Sequence, residues 1–205
     1  YWLVDGLQTY LMMEYVEKYY PEVKLLGKVS ELWGVRSFNV AKLNYNDKYP
    51  FVYQFSARKF LDQSLATSAD SLSNFNRKIV NKYKAGLGLR YLNDFLGNSI
   101  LKQSVQEFYQ KSKFKTTSSS LFKEILSKNT DKDLQWFFED YIQTNKKIDY
   151  TIKTAKTTKD SINVTIQNKR NSAAPFVLYG LKDKEITFKK WITARLNERT
   201  TLDGA

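Results

Sequence analysis

The chain contains no histidine and no cysteine. Those two side chains supply most of the nitrogen and sulfur ligands of zinc sites, so residues 1–205 cannot build a conventional zinc centre by themselves. A disulfide scaffold is excluded for the same reason. No apolar run approaches the roughly 18 to 20 residues needed to span a membrane. What is present is 42% hydrophobic and 15% aromatic residues over 205 positions, enough for one good core and a small second one.

Anionic charge is scarce in the later part of the chain. Residues 1–75 carry 8 Lys/Arg and 8 Asp/Glu, whereas residues 76–205 carry 25 and 13, so the net charge of +12 lies entirely after residue 75. Such a balance first suggests a nucleic-acid partner. The pattern argues against one, because the cations are mostly lysines at ordinary helix and strand spacing, and no RNP, zinc-finger or bZIP pattern is present. A solvated lysine-rich surface accounts for the charge, with no nucleic-acid partner.

Periodicity reads as helices first and strands last. A helix runs from Trp2 to Tyr20 and stops at Pro21, with Leu7, Leu11, Tyr15 and Tyr19 on one stripe. Weaker helical patterns cover Val23–Trp33 and Arg36–Leu43. Residues from Pro50 to Leu65, with Phe51, Phe55, Phe60 and Leu61, suit a largely buried helix. Residues 64–76 read as a loop, after which Asn74 or Asn76 caps a helix with Ile79, Val80, Tyr83, Leu87, Tyr91, Leu92 and Phe95 on its apolar face, ending at Gly97. Asn98–Tyr109 and Ser118–Leu126 follow, then a capping box at Thr130–Asp133 before Leu134, Trp136, Phe137, Phe138, Tyr141 and Ile142.

After Asn145 the period changes to two. Ile148, Tyr150 and Ile152 alternate, 157–160 is a turn, and Ile162, Val164 and Ile166 alternate again; 168–172 is a second turn before Phe176–Tyr179 and Ile186–Phe188. The fold class expected is therefore mainly α, a multi-helix part over residues 1–147, followed by a small antiparallel β module over 148–205.

Two positions carry chemistry. Asp5, in Trp2-Leu3-Val4-Asp5-Gly6-Leu7-Gln8-Thr9-Tyr10-Leu11, is either a helix cap with Gln8 as its box partner or a metal ligand. Tyr83, in Tyr83-Lys84-Ala85-Gly86-Leu87, falls on an apolar stripe and reads as core by itself. Gly86 and Gly88 resist that reading, since each glycine inside a helix costs about 1 kcal/mol relative to Ala and most often admits another backbone.

The opening segment resembles the stretch that supplies the third zinc ligand in the aminopeptidase N family of gluzincin metallopeptidases. The Tyr83 segment is similar to that family's Tyr-x-Lys-Gly-Ala, with Ala85 in place of the Lys and Leu87 in place of the Ala. Asp131-Lys132-Asp133-Leu134-Gln135-Trp136-Phe137-Phe138-Glu139-Asp140-Tyr141, preceded by Thr116–Phe122, resembles its later helices. The three segments occur in the family's order and spacing, with Asp5 and Tyr83 78 positions apart. The resemblance implies a zinc-dependent peptidase acting on a peptide substrate. Zinc in the full-length protein would be held by two His and a carboxylate, with Asp5 as that carboxylate and Tyr83 as the oxyanion donor. It also implies that the H-E-x-x-H segment lies upstream, and that this chain, which opens without an initiator Met, is part of a larger enzyme. Asp is one methylene shorter than the family's usual Glu, so its backbone would sit closer to the metal. A catalytically inactive relative, or a basic binding or scaffold module, is the alternative reading.

Overall fold

A computed structural model of the protein describes residues 2–97, 99–116, 118–157, 161–193 and 199–203. The chain forms two compact units, Tyr1–Thr130 and Asp131–Ala205. It is mainly α, followed by a small antiparallel β module. The compact units divide earlier than the change of period at residue 147, so the aromatic helix at 136–142 belongs with the strands.

In the first unit the helices are α1 (Trp2–Tyr19), α2 (Asn39–Lys42), α3 (Lys48–Arg58), α4 (Asn81–Leu96), α5 (Ile100–Ser112) and α6 (Ser119–Lys128). A π-helical turn, Asn76–Val80, runs directly into α4. α1 stops short of Pro21, because the residue before a proline is pushed out of the helical region. Since α1 begins at Trp2, Asp5 lies in its first turn rather than at a cap, and the box with Gln8 is not formed. An acid there still meets the positive end of the helix dipole.

The buried face of α1 is Trp2, Leu3, Gly6, Thr9, Tyr10 and Met13. The stripe of Leu11, Tyr15 and Tyr19 instead faces solvent, each residue about half exposed. The cause lies across the interface: α4 packs closely on α1 at Gly6 and Thr9, and the buried face follows that contact rather than the stripe of Leu11, Tyr15 and Tyr19. α3 departs from expectation in the same direction. Its buried residues are Tyr49 and Ser56, while Phe51, Phe55 and Phe60 are all more than half exposed. The helix ends in a Schellman turn, Phe60 N–H to the Ala57 carbonyl (3.2 Å) and Leu61 N–H to that of Ser56 (2.9 Å), which places Phe60 at φ +55°.

Between Val23 and Leu43 there is only a 3₁₀ turn, Gly27–Glu31, and the single turn of α2. Val23, Val29, Val35 and Val40, with Gly27 and Gly34, give this stretch poor helix propensity. It is closed instead by Leu25 N–H to the Leu43 carbonyl and Tyr45 N–H to that of Val23, both 2.9 Å. Asn76 does not cap the next helix. Its amide accepts from Gln63 N–H (3.0 Å) and donates to the Leu61 carbonyl and Ser73 Oγ (both 2.8 Å), clamping the 61–73 loop. Asn74 instead accepts from Arg77. α4 ends at Gly97, whose φ of +96° only glycine adopts readily. Asn98 lies outside the described residues, and α5 continues to Ser112; Ser118 caps α6 through Leu121 N–H.

In the second unit Asp133 accepts from Gln135 N–H (2.8 Å) ahead of a π-helix, Trp136–Ile142, that buries its four ring residues Trp136, Phe137, Phe138 and Tyr141. Strands β1 (Tyr150–Thr157), β2 (Ser161–Asn168) and β5 (Arg199–Asp203) pair antiparallel in the order β1-β2-β5, and β3 (Phe176–Lys182) pairs antiparallel with β4 (Glu185–Ile192). Residues 158–160 of the first turn lie outside the described residues. As the alternation requires, Val164 is buried with Leu178, and Ile162, Ile166, Phe188 and Ile192 pack around them. The Phe188 ring lies across Gly180, its cross-strand partner, covering the space a side chain would occupy. Asp140 ties the helix to the segments that lead into β1 and β3, accepting from Lys146 Nζ (2.7 Å) and Ala173 N–H (2.8 Å).

Candidate active site between two close helices

Asp5 and Tyr83 sit on α1 and α4, and these two helices pack closely on one another. A Cβ built on Gly6 would stand 2.8 Å from Ala85 Cβ, and one built on Gly86 would stand 2.5 Å from Thr9 Cγ2. Distances under 3 Å mean the interface has no room for even one added methyl. Thr9 fits because its hydroxyl turns back onto its own helix, donating to the Asp5 carbonyl at 2.8 Å, which leaves the methyl toward Gly86.

The contacts advance in step along both helices: Gly6 on Ala85, Thr9 on Gly86, and Glu17 paired with Arg90 at 2.6 Å. The helices therefore run in the same direction. Asp5 precedes Thr9 by one turn and Tyr83 precedes Gly86 by one turn, so both candidates lie toward the N-terminal end of the contact. Asp5 and Tyr83 are each half-buried.

Around Tyr83 the structure adds residues that the sequence reading missed. The Tyr49 ring meets that of Tyr83 edge-on, with centroids 4.8 Å apart and planes at 78°. Tyr45 is hydrogen-bonded to Tyr49, and the Lys48 ammonium lies 3.3 Å from the centroid of Tyr45 and 4.9 Å from that of Tyr49. Burial first, then the neighbouring Tyr45 and Tyr83, push the Tyr49 hydroxyl up to about 12. Tyr83 is raised in the same way, by burial and then by Tyr45. A phenol held above its ordinary value is a proton donor at neutral pH. The one signal available in sequence was Tyr45 and Tyr49 at i, i+4 with Lys48 between them.

Next to Tyr83, Lys84 is fully buried and pairs with an equally buried Asp62 at 3.5 Å, also donating to the Gln63 carbonyl at 3.2 Å. This pair fixes the rotation of α4 against the 61–73 loop. At the far end of the contact, Tyr10 is raised to about 12 by burial and by Glu14 and Asp94, with Arg90 opposing. Glu14 is raised by burial, partly offset by Arg90. Among the described residues no three His, Cys, Asp or Glu side chains come together as a metal site. The chain matches no protein-family model, no curated protein and no solved structure.

Proposed function

We propose that residues 1–130 form part of the catalytic region of a zinc-dependent, aminopeptidase-like metallopeptidase that hydrolyses peptide bonds. Asp5 is then the carboxylate ligand and Tyr83 the hydroxyl that donates to the developing oxyanion. The observation that carries this reading is the pairing of the two segments on which the resemblance rests. Though 78 positions apart in sequence, they pack on one another through Gly6, Thr9, Ala85 and Gly86, with Asp5 and Tyr83 toward the same end. Glycines at 6 and 86 make sense only if that approach matters, because each lowers the helix's own stability.

In this reading the remaining ligands come from outside residues 1–205. Zinc, when bound, supplies an activated water and polarises the scissile carbonyl. The chain contributes a neutral phenol and a half-buried carboxylate one helix away. Losing one oxyanion donor typically lowers turnover about a hundredfold to a thousandfold. Tyr83→Phe in the longer protein should therefore keep its zinc and slow by that order, whereas Asp5→Ala should lose metal affinity. Zinc content and hydrolysis of an aminoacyl anilide, with and without chelator, measure both. A longer protein without H-E-x-x-H, or one whose Tyr83→Phe variant turns over at the parent rate, would overturn the assignment.

A further inference from the structure

Tyr83 can serve as a donor only if its ring is held still, and the structure contains a device that holds it. Tyr49, only 5% exposed, is itself held by its place on α3 and by the Lys48 ammonium over the Tyr45 and Tyr49 rings. From that anchored position its ring abuts the Tyr83 ring edge-on at 4.8 Å. Lys84, the next residue on α4, locks the helix rotation through the buried pair with Asp62, so Tyr83 is confined both at its backbone and at its ring.

We propose that Tyr49 is a positioning residue for Tyr83, acting through ring contact, with Tyr45 and Lys48 supporting it. This rests on the reading of Tyr83 as the oxyanion donor. The Tyr49 hydroxyl has no part in the chemistry; what matters is an aromatic edge at a fixed place.

Kinetics of the longer, zinc-loaded protein test this. Tyr49→Leu keeps apolar bulk but removes the ring. An edge-to-face pair of ordinary strength predicts a fall in kcat of roughly three- to tenfold with KM unchanged. Tyr49→Phe should restore kcat to near the parent value. In a Tyr83→Phe background, Tyr49→Leu should have no further effect, because the hydroxyl it positions is gone. A readout independent of activity uses the chain of residues 1–205: the Tyr83 ring protons, assigned by their loss in Tyr83→Phe, should be shifted by the Tyr49 ring current and should relax toward ordinary tyrosine values in Tyr49→Leu.

The outcomes separate the two claims. A Tyr83→Phe variant at the parent rate overturns the donor role itself. A slow Tyr83→Phe variant with Tyr49→Leu at parent kcat, or with the two losses multiplying in the double variant, overturns the positioning role alone. Unshifted Tyr83 ring protons in the unsubstituted chain would also overturn it, whether or not Tyr49→Leu folds.

Discussion

At Gly86 the usual sign of a substitution reverses. In an exposed helix, Gly→Ala gains about 1 kcal/mol. Here the new methyl would stand 2.5 Å and 2.7 Å from two atoms of Thr9, so the helices must part, and overpacking of this kind costs about 1–3 kcal/mol. Gly86→Ala should lower stability by about 1–2 kcal/mol in urea unfolding, and Thr9→Ser, which removes the nearest methyl, should reduce that loss. The buried pair beside it gives a second expectation. Lys84→Met withdraws the ammonium from next to a fully buried Asp62 carboxylate, and breaking such a pair typically costs about 3–5 kcal/mol. Adding Asp62→Leu should recover most of the loss, since an apolar pair of similar volume replaces both charges. If the double variant is no more stable than Lys84→Met alone, the pair is not acting as a unit.

Helices and strands differ in how much of them the sequence announced. Period-two alternation at Ile162, Val164 and Ile166 located β2 and its buried face, because a strand's inward residues are fixed by parity alone. The end of α4 at Gly97 was equally plain, but of its expected apolar face Ile79 is exposed and Tyr83, Leu87 and Tyr91 are only half-buried, while Lys84, Ala85, Gly86, Gly88 and Leu89 are buried. The buried face of α1 was not plain either. Leu7, Leu11, Tyr15 and Tyr19 form the larger stripe, but the tight partner selected Gly6, Thr9 and Met13, and a partner 80 residues away is invisible to a local window. Phe51 and Phe55 misled for the same reason. The β3–β4 hairpin offers a test of turn chemistry at this scale. Asp183 and Lys184 both have positive φ, +52° and +70°, the geometry of a two-residue type I′ turn that favours Asn-Gly. Asp183→Asn with Lys184→Gly should raise stability by about 0.5–1 kcal/mol through relief of that backbone strain, read from thermal unfolding.

For the chain as a whole, three tyrosines in two units set its alkaline limit. Tyr10, Tyr49 and Tyr150 are each raised from 10.0 to about 12, chiefly by burial. Unfolding exposes the phenols at their ordinary value, so between pH 10 and 12 the unfolded chain sheds protons that the folded chain keeps. Their contribution is complete below pH 10 and lost as pH rises to about 12. Circular dichroism should record unfolding in that window, and Tyr→Phe at these positions should move it upward; a flat signal to pH 12 would refute the assignment. Equilibrium dialysis should find no stoichiometric zinc on residues 1–205, which lack His and Cys. Asp5 and Tyr83 were singled out in sequence by the resemblance of their segments and, for Tyr83, by Gly86 and Gly88 in the same helix. Tyr45, Lys48 and Tyr49 were not, since what joins them to Tyr83 is the packing of α3 on α4. The Gly6–Ala85 contact also governs how the chain reaches this state. It closes a loop of roughly eighty residues, whose length-dependent entropy cost is about 4 kcal/mol. A contact that expensive forms late, after the local α5–α6 pairing, so its variants should leave the folding rate nearly unchanged and appear as faster unfolding. The helix pair that carries the proposed chemistry should thus act as a kinetic latch that closes late.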